Sequence, residues 1–260
     1  MGNTLRSVLC TVAFYTWGVM IGTVMVPMLV LPRSWFRQFV ITWSAGNGVL
    51  LRIIAGVHSE IRNREHRPTG AAIIASKHQS EWEAHVFLHE LDDPAYVIKK
   101  ELSYVPGYGW FSAKVNMIFV DRHGGGKSLR GLVKGAQKAV ARGRPVVIFP
   151  EGTRVLPGEK LPYRPGVAAL YGALNVPVVP VVLNSGMHWP KGSIRRYPGT
   201  IVMEYLPPIP PGLPRREFME RLESTMEEAS QRLFAELYGT KDEPAPEQAE
   251  DTAPGQADAA

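Results

Sequence analysis

His78 and Glu83 stand five residues apart in Ser76-Lys77-His78-Gln79-Ser80-Glu81-Trp82-Glu83. A carboxylate that accepts from one imidazole nitrogen fixes the ring's tautomer and stabilises its protonated form, leaving the second nitrogen to take a proton. On one regular helix the two side chains would diverge by ~140°, because each residue turns the helix by ~100°. They meet only if His78 lies in a turn ahead of a helix and Glu83 lies in that helix's first turn. The apolar run 71–76 reads as a buried strand and 82–91 as a helix, which supplies that arrangement.

Three further segments offer positive charge. Phe149-Pro150-Glu151-Gly152-Thr153-Arg154 follows the apolar run 145–149. Gly152 permits a tight turn, and the Arg154 guanidinium matches a phosphate bidentately. Phe119-Val120-Asp121-Arg122 also ends an apolar run, which makes Arg122 a second clamp. Lys99-Lys100-Glu101-Leu102 adds a lysine point charge after the run 95–98. In parallel α/β sheets, ligand sites collect beyond the carboxyl ends of the strands. A base and three cations, each just after a strand, would therefore converge on one edge of the sheet and suit a phosphate-bearing substrate with a proton to lose. Gly124-Gly125-Gly126-Lys127-Ser128 imitates the end of a phosphate-binding P-loop, but position 121 is Asp where that loop needs Gly. His58, His66, His85, His89, His123 and His188 lack metal-ligand spacing, so no metal is expected.

The elements that must position these residues alternate. Strands are expected at 71–76, 95–98, 116–120, 145–149, 178–183 and 201–206, with helices at 82–91, 127–142 and 166–174 between them. That order implies an α/β fold, a mostly parallel sheet flanked by helices. A proline-rich connector at 207–214 precedes an amphipathic helix bearing Phe218, Leu222, Met226, Ala229, Leu233 and Leu237 on one face. Residues 7–32 carry no charge and are long enough to cross ~30 Å of hydrocarbon. Arg6 and Arg33 flank that run, and Pro27 admits a break, so a one-sided re-entrant insertion stands beside a full span. Residues 35–57 mix aromatics with arginines, as at a lipid interface. The expected division is a membrane-inserting helical segment at 1–57, an α/β domain at 58–240 and a disordered acidic tail at 241–260. That tail has a net charge of −5, which leaves +10 on the rest of a chain of formal charge +5. A basic body points to an anionic partner. The single cysteine, Cys10, excludes an internal disulfide framework.

Together these motifs resemble the glycerolipid acyltransferase family, the 1-acylglycerol-3-phosphate acyltransferases and their relatives. His78 and Glu83 match its first motif, Phe119–Arg122 its second, Phe149–Arg154 its third and Val178-Val179-Pro180-Val181 its fourth, with Lys100-Glu101-Leu102 also typical. The likeness runs from about Gly70 to Pro208. The chain departs at two positions, with Glu83 where Asp is usual and Lys77 where Asn is frequent. The resemblance implies transfer of a fatty acyl group from acyl-CoA or acyl carrier protein to the free hydroxyl of 1-acylglycerol-3-phosphate, giving phosphatidic acid. His78 would be the base, Glu83 its orienter, and Lys100, Arg122, Glu151, Gly152, Thr153 and Arg154 the substrate-binding set. The thioester is a co-substrate, and no resident cofactor is expected. The partners implied are membrane lipids, a lysophospholipid acceptor and the thioester carrier, at the cytoplasmic face of a membrane; nucleic acid is not among them. Another lysolipid acceptor would suit the same motifs. A serine hydrolase using Ser76 or Ser80 competes, but no Gly-x-Ser-x-Gly elbow is present. A membrane-anchored module binding anionic lipid also competes, and it has no need of both His78 and Glu83.

Overall fold

The chain opens with two helices, α1 (Gly2–Met28) and α2 (Arg33–Leu50), followed by a wider helical turn at Leu51–Ala55. Pro27 falls in the last turn of α1 and ends that helix without splitting it. The chain then reverses, and α2 runs back against α1. Trp17 on α1 donates its indole N–H to the carbonyl of Trp43 on α2 at 3.1 Å. The indole lies over Gly46, where a Cβ would come within 2.6 Å of it, so only glycine allows that close approach. The computed structural model describes residues 2–122 and 124–239; the acidic segment 241–260, expected to be disordered, and His123 lie outside them.

Seven strands follow: β1 (Val57–Arg62), β2 (Ile73–Ser76), β3 (Ala95–Lys99), β4 (Ile118–Val120), β5 (Val146–Ile148), β6 (Val178–Leu183) and β7 (Gly199–Tyr205). Between them lie α3 (Glu83–Glu90), α4 (Tyr108–Lys114), α5 (Gly125–Val140), α6 (Pro165–Leu174) and α7 (Ser185–His188), and α8 (Arg215–Tyr238) comes last. The strands form one sheet in the order β1-β7-β6-β2-β5-β3-β4. Every neighbouring pair is parallel except β6–β7. The mostly parallel α/β sheet expected from the alternation is therefore borne out. Every residue of β2, β5 and β6 is buried, because helices cover both faces of the sheet.

Side chains alternate between those faces. Ile73, Ala75, Val146 and Ile148 pack with α5, α6 and α8, whereas Ile74, Val147 and Val179 pack with α3 and with Cys10, Leu51 and Ala55 of the N-terminal helical region. The connection from β2 leads towards β3 and that from β5 towards β6, on opposite sides of the sheet. A crevice opens beyond the carboxyl ends of two adjacent strands where their connections part in this way. His78 follows β2 and Glu151 follows β5, so the topology sets both loops at that crevice.

Both ends of α1 are fastened to the α/β body. Ser7 Oγ near its start accepts the backbone N–H of Arg196 at 2.9 Å. Just past its end, Arg33 grips Asp93 with two hydrogen bonds of 2.8 and 2.6 Å. The outer face of α1 remains uncovered, with Leu5, Leu9, Val12, Tyr15, Val19 and Met20 all exposed.

Candidate active site

Glu83 is the first residue of α3, and Ser80 precedes it by three. The two exchange contacts like those of a Ser-x-x-Glu box in the turn that leads into α3, each side chain satisfying backbone N–H groups there. Glu83 Oε1 accepts the N–H of Ser80 at 2.6 Å and that of Gln79, while Ser80 Oγ accepts the N–H of Trp82 at 2.9 Å. The same Oε1 lies 2.9 Å from His78 Nδ1. Oε2 accepts the hydroxyls of Ser80 at 3.0 Å and Ser185 at 2.8 Å. The side chain is wholly buried.

Burial alone would push the Glu83 carboxyl pKa up. The hydrogen bond and charge of His78, with the donors of Ser80 and Ser185, outweigh burial and hold it below the ordinary value. An ionised Glu83 has only acceptors to offer, so His78 Nδ1 carries the proton between them and Nε2 holds the free lone pair. The imidazole stacks on Phe149, centroids 4.1 Å apart and planes 16° off parallel. Phe149 sits just past β5, and it fixes the ring's remaining rotation. The structure therefore contains an imidazole fixed in tautomer and orientation at the mouth of the crevice.

Glu151 occupies the reverse side of the same loop. Its Oε2 accepts the backbone N–H of His78 at 2.9 Å, and its Oε1 lies 2.7 Å from Lys77 Nζ. Burial raises its pKa, and Lys77 pulls the other way. With only 1 % of the side chain exposed, this carboxylate faces the loop and not open space.

The candidate cations stand in the segments that follow β3, β4 and β5. Arg154 Nη1 reaches Glu81 Oε1 at 3.0 Å, which joins the Phe149–Arg154 turn to the His78 loop. Arg122 is exposed beyond β4; the surrounding protein and then repulsion from Arg164 lower its pKa, against the pull of Glu101. Arg164 caps α6, and its stem passes within 3.0 Å of where a Cβ on Gly152 would stand. Gly152 holds φ +71°, a left-handed conformation that glycine adopts without strain. Thr153 beside it is half-buried. Lys100 is exposed at the start of the helical turn Lys100–Tyr104, with no ion pair among the described residues. Sequence reasoning missed Ser185, Arg164 and the pairing of Ser80 with Glu83. The Ser-x-x-Glu spacing could have revealed the last; no local signal marks a serine 102 residues from its partner.

Residues 58–184 match the model of the Acyltransferase family. A 1-acyl-sn-glycerol-3-phosphate acyltransferase of Pseudomonas aeruginosa is 36% identical over 200 residues, which are 76% of this chain and 77% of that one. A mouse 1-acyl-sn-glycerol-3-phosphate acyltransferase alpha is 30% identical over 162 residues, 61% of this chain but only 57% of its own length. The crystal structure of the 1-acyl-sn-glycerophosphate acyltransferase PlsC of Thermotoga maritima superposes with a TM-score of 0.74, covering 90% of this chain and 98% of that one, at 21% identity. The resemblance carried by the four motifs is thereby borne out. By its family match and by the identity it shares with a relative along most of both lengths, the chain belongs to the acyltransferase family and is an enzyme of acyl transfer.

Proposed function

We propose that this enzyme moves a fatty acyl group from an acyl thioester to the free hydroxyl of 1-acyl-sn-glycerol-3-phosphate, giving phosphatidic acid. The observation that carries the reading is the 2.9 Å contact between His78 Nδ1 and the buried Glu83 carboxylate. In this reading His78 Nε2 takes the acceptor's hydroxyl proton as the oxygen attacks the thioester carbonyl. The C–S bond breaks, and the leaving thiolate takes that proton back from His78. Glu83 stabilises the imidazolium in between. General-base assistance of this kind is worth ~10²–10⁴-fold in rate. Arg122, Arg154, Lys100 and the newly recognised Arg164 hold the phosphate, with Gly152 and Thr153 shaping the turn beneath it. Glu151 supports the His78 loop and does not touch substrate. The thioester, acyl-CoA or acyl carrier protein, enters as co-substrate, and the reaction needs no resident cofactor.

The N-terminal helices serve as the membrane anchor. α1 is long and apolar enough to cross a bilayer. Its ties to Arg196 and Asp93 favour a different posture, because a crossing helix held at both ends would submerge the charged body. The exposed apolar face of α1 enters one leaflet from the side where acyl thioesters are made, the cytoplasmic one.

Thiol release by the purified chain, measured with and without 1-acylglycerol-3-phosphate, tests the reading. Release that requires the acceptor and disappears in His78→Ala supports it. Release without acceptor indicates a hydrolase, and none with any lysolipid indicates a binding module. Faster turnover of a different lysolipid would reassign the acceptor.

A further inference from the structure

Lys77 and His78 are consecutive just beyond β2, and they turn to opposite sides of the sheet. His78 turns towards α3 and Phe149. Lys77 turns towards α8, into a protein interior where only 5 % of its side chain is exposed. Its ammonium lies 2.7 Å from Glu151 Oε1 and 2.7 Å from Glu227 Oε1 on α8, 150 residues away in sequence. Tyr163 adds its hydroxyl to the same Glu227 oxygen at 3.2 Å and presents its ring 5.8 Å from the ammonium. Glu151 uses its other oxygen to hold the His78 N–H at 2.9 Å. A continuous chain of charged contacts thus runs from α8 through Lys77 and Glu151 to the backbone of His78.

We propose that Glu227 and Lys77 are positioning residues for acyl transfer: with Glu151 they form a three-membered ionic latch by which α8 fixes the loop that presents His78. This rests on His78 being the base, as argued above. Three features support a positioning function beyond filling the interior. Burying two carboxylates with one ammonium is unfavourable next to an apolar packing of the same volume, so stability alone gives little reason for it. α8 is already held to the sheet by Phe218, Leu222, Met226 and Leu233, which are nearly or fully buried, so the latch is not needed to dock it. The ionic contacts instead act on the two loops at the crevice, those that carry His78 and Glu151. A base must be held within a fraction of an ångström of its productive geometry, and polar contacts behind it supply such precision.

The test uses the full chain with Glu227→Gln, Lys77→Met, Lys77→Arg and the double variant Lys77→Met/Glu227→Gln, beside His78→Ala. Glu227→Gln leaves the Lys77–Glu151 pair intact and neutral, so it retains the fold even if Lys77→Met does not. Each variant is assayed for kcat, for KM of acceptor and thioester, and for thermal midpoint. The latch predicts that Glu227→Gln lowers kcat about fivefold to twentyfold with both KM values within about twofold. Lys77→Arg should recover most of the rate lost in Lys77→Met. The double variant should lose less than the product of the two single losses, since both act through one contact chain. A Glu227→Gln enzyme that keeps kcat within twofold would overturn the inference. So would a loss that tracks only the thermal midpoint and vanishes on cooling. His78→Ala separates the two readings: if it remains active, the assignment of the base fails. If it is inactive while Glu227→Gln is unaffected, the latch alone fails.

Discussion

Arg154 does not stand free at the crevice: its Nη1 lies 3.0 Å from Oε1 of Glu81, the residue two before Glu83. A cation proposed to bind phosphate thus carries an ion pair of its own, and the Glu81 carboxylate competes with phosphate for it. The pair is partly exposed, so its strength is modest, ~0.2–1 kcal/mol. Glu81→Gln is expected to lower the acceptor KM by about 1.5-fold to fivefold with kcat unchanged. Arg154→Ala is expected to raise it by about tenfold or more, as for loss of a ~1.5–3 kcal/mol charged contact. Steady-state kinetics with 1-acylglycerol-3-phosphate decide the matter. An unchanged KM in Arg154→Ala would remove this residue from the binding set.

Acid sensitivity follows from His85, one helical turn before His89 on α3. Its ring is enclosed by Phe14, Trp43 and Trp189, and its buried Nδ1 has no hydrogen-bond partner among the described residues. Burial pushes its pKa from 6.5 down to about 4, while Glu83 opposes and His89 assists. Below pH 6.5 the unfolded chain takes a proton that the folded ring refuses until about pH 4. Stability is therefore fully present above 6.5 and declines between those values, by up to ~3 kcal/mol. Glu83 acts lower down, its contribution fading as pH falls from 4.5 through its depressed folded value. Urea midpoints at pH 7 and pH 5 should differ less in His85→Leu than in the parent, with the residual slope owed partly to His89, whose pKa burial also lowers. Equal differences in the two proteins would contradict the assignment.

Gly152 is the point at which the backbone should tolerate least. An alanine there would be held at φ +71° with its Cβ 3.0 Å from Arg164 Cγ. Left-handed backbone is unfavourable for a non-glycine residue by ~1–2 kcal/mol. A thermal midpoint lower by about 2–8 °C is expected for Gly152→Ala, since ~1 kcal/mol shifts a chain of this size by about 2–4 °C. The acceptor KM should rise as Arg164 is pushed aside. Calorimetry and kinetics on the one variant check both, and a wild-type midpoint would show that the turn relaxes.

One-sided insertion makes a topological prediction. With Cys10→Ser as background, single cysteines at Asn3 and Asn63 should be labelled by an impermeant reagent from the same face of sealed vesicles. Labelling from opposite faces would establish a crossing and overturn the proposed posture.

The distribution of legible and illegible features has a physical pattern. The buried strands announce themselves as apolar runs, and β6 was expected at its observed bounds, residues 178–183. β1 was missed because it is an edge strand whose His58, Ser59 and Glu60 face solvent, so it carries no apolar alternation to detect. The His78–Glu83 pair was legible because a strand, a turn and a helix start leave only one way for residues five apart to meet. What lies behind the pair was not. Ser185, Glu227 and Arg164 reach the site through tertiary packing, and spacing along the chain does not encode such contacts. The α5 boundaries differ from the expected 127–142, at Gly125–Val140, because Gly125 and Gly126 enter the first turn of the helix.

The fastening of α1 also bears on the order in which the molecule is assembled. α1 leaves the ribosome before the body it docks on: the residue that secures its start, Arg196, is made 189 residues after Ser7, and β1 must wait for β7, its strand partner among the described residues. For most of synthesis, then, α1 has α2 to lie against but not the α/β body to which its start is fastened. The bilayer is the surface available to it in that interval. With the proposed anchor, attachment to the lipid would precede completion of the sheet, and the enzyme would fold already attached.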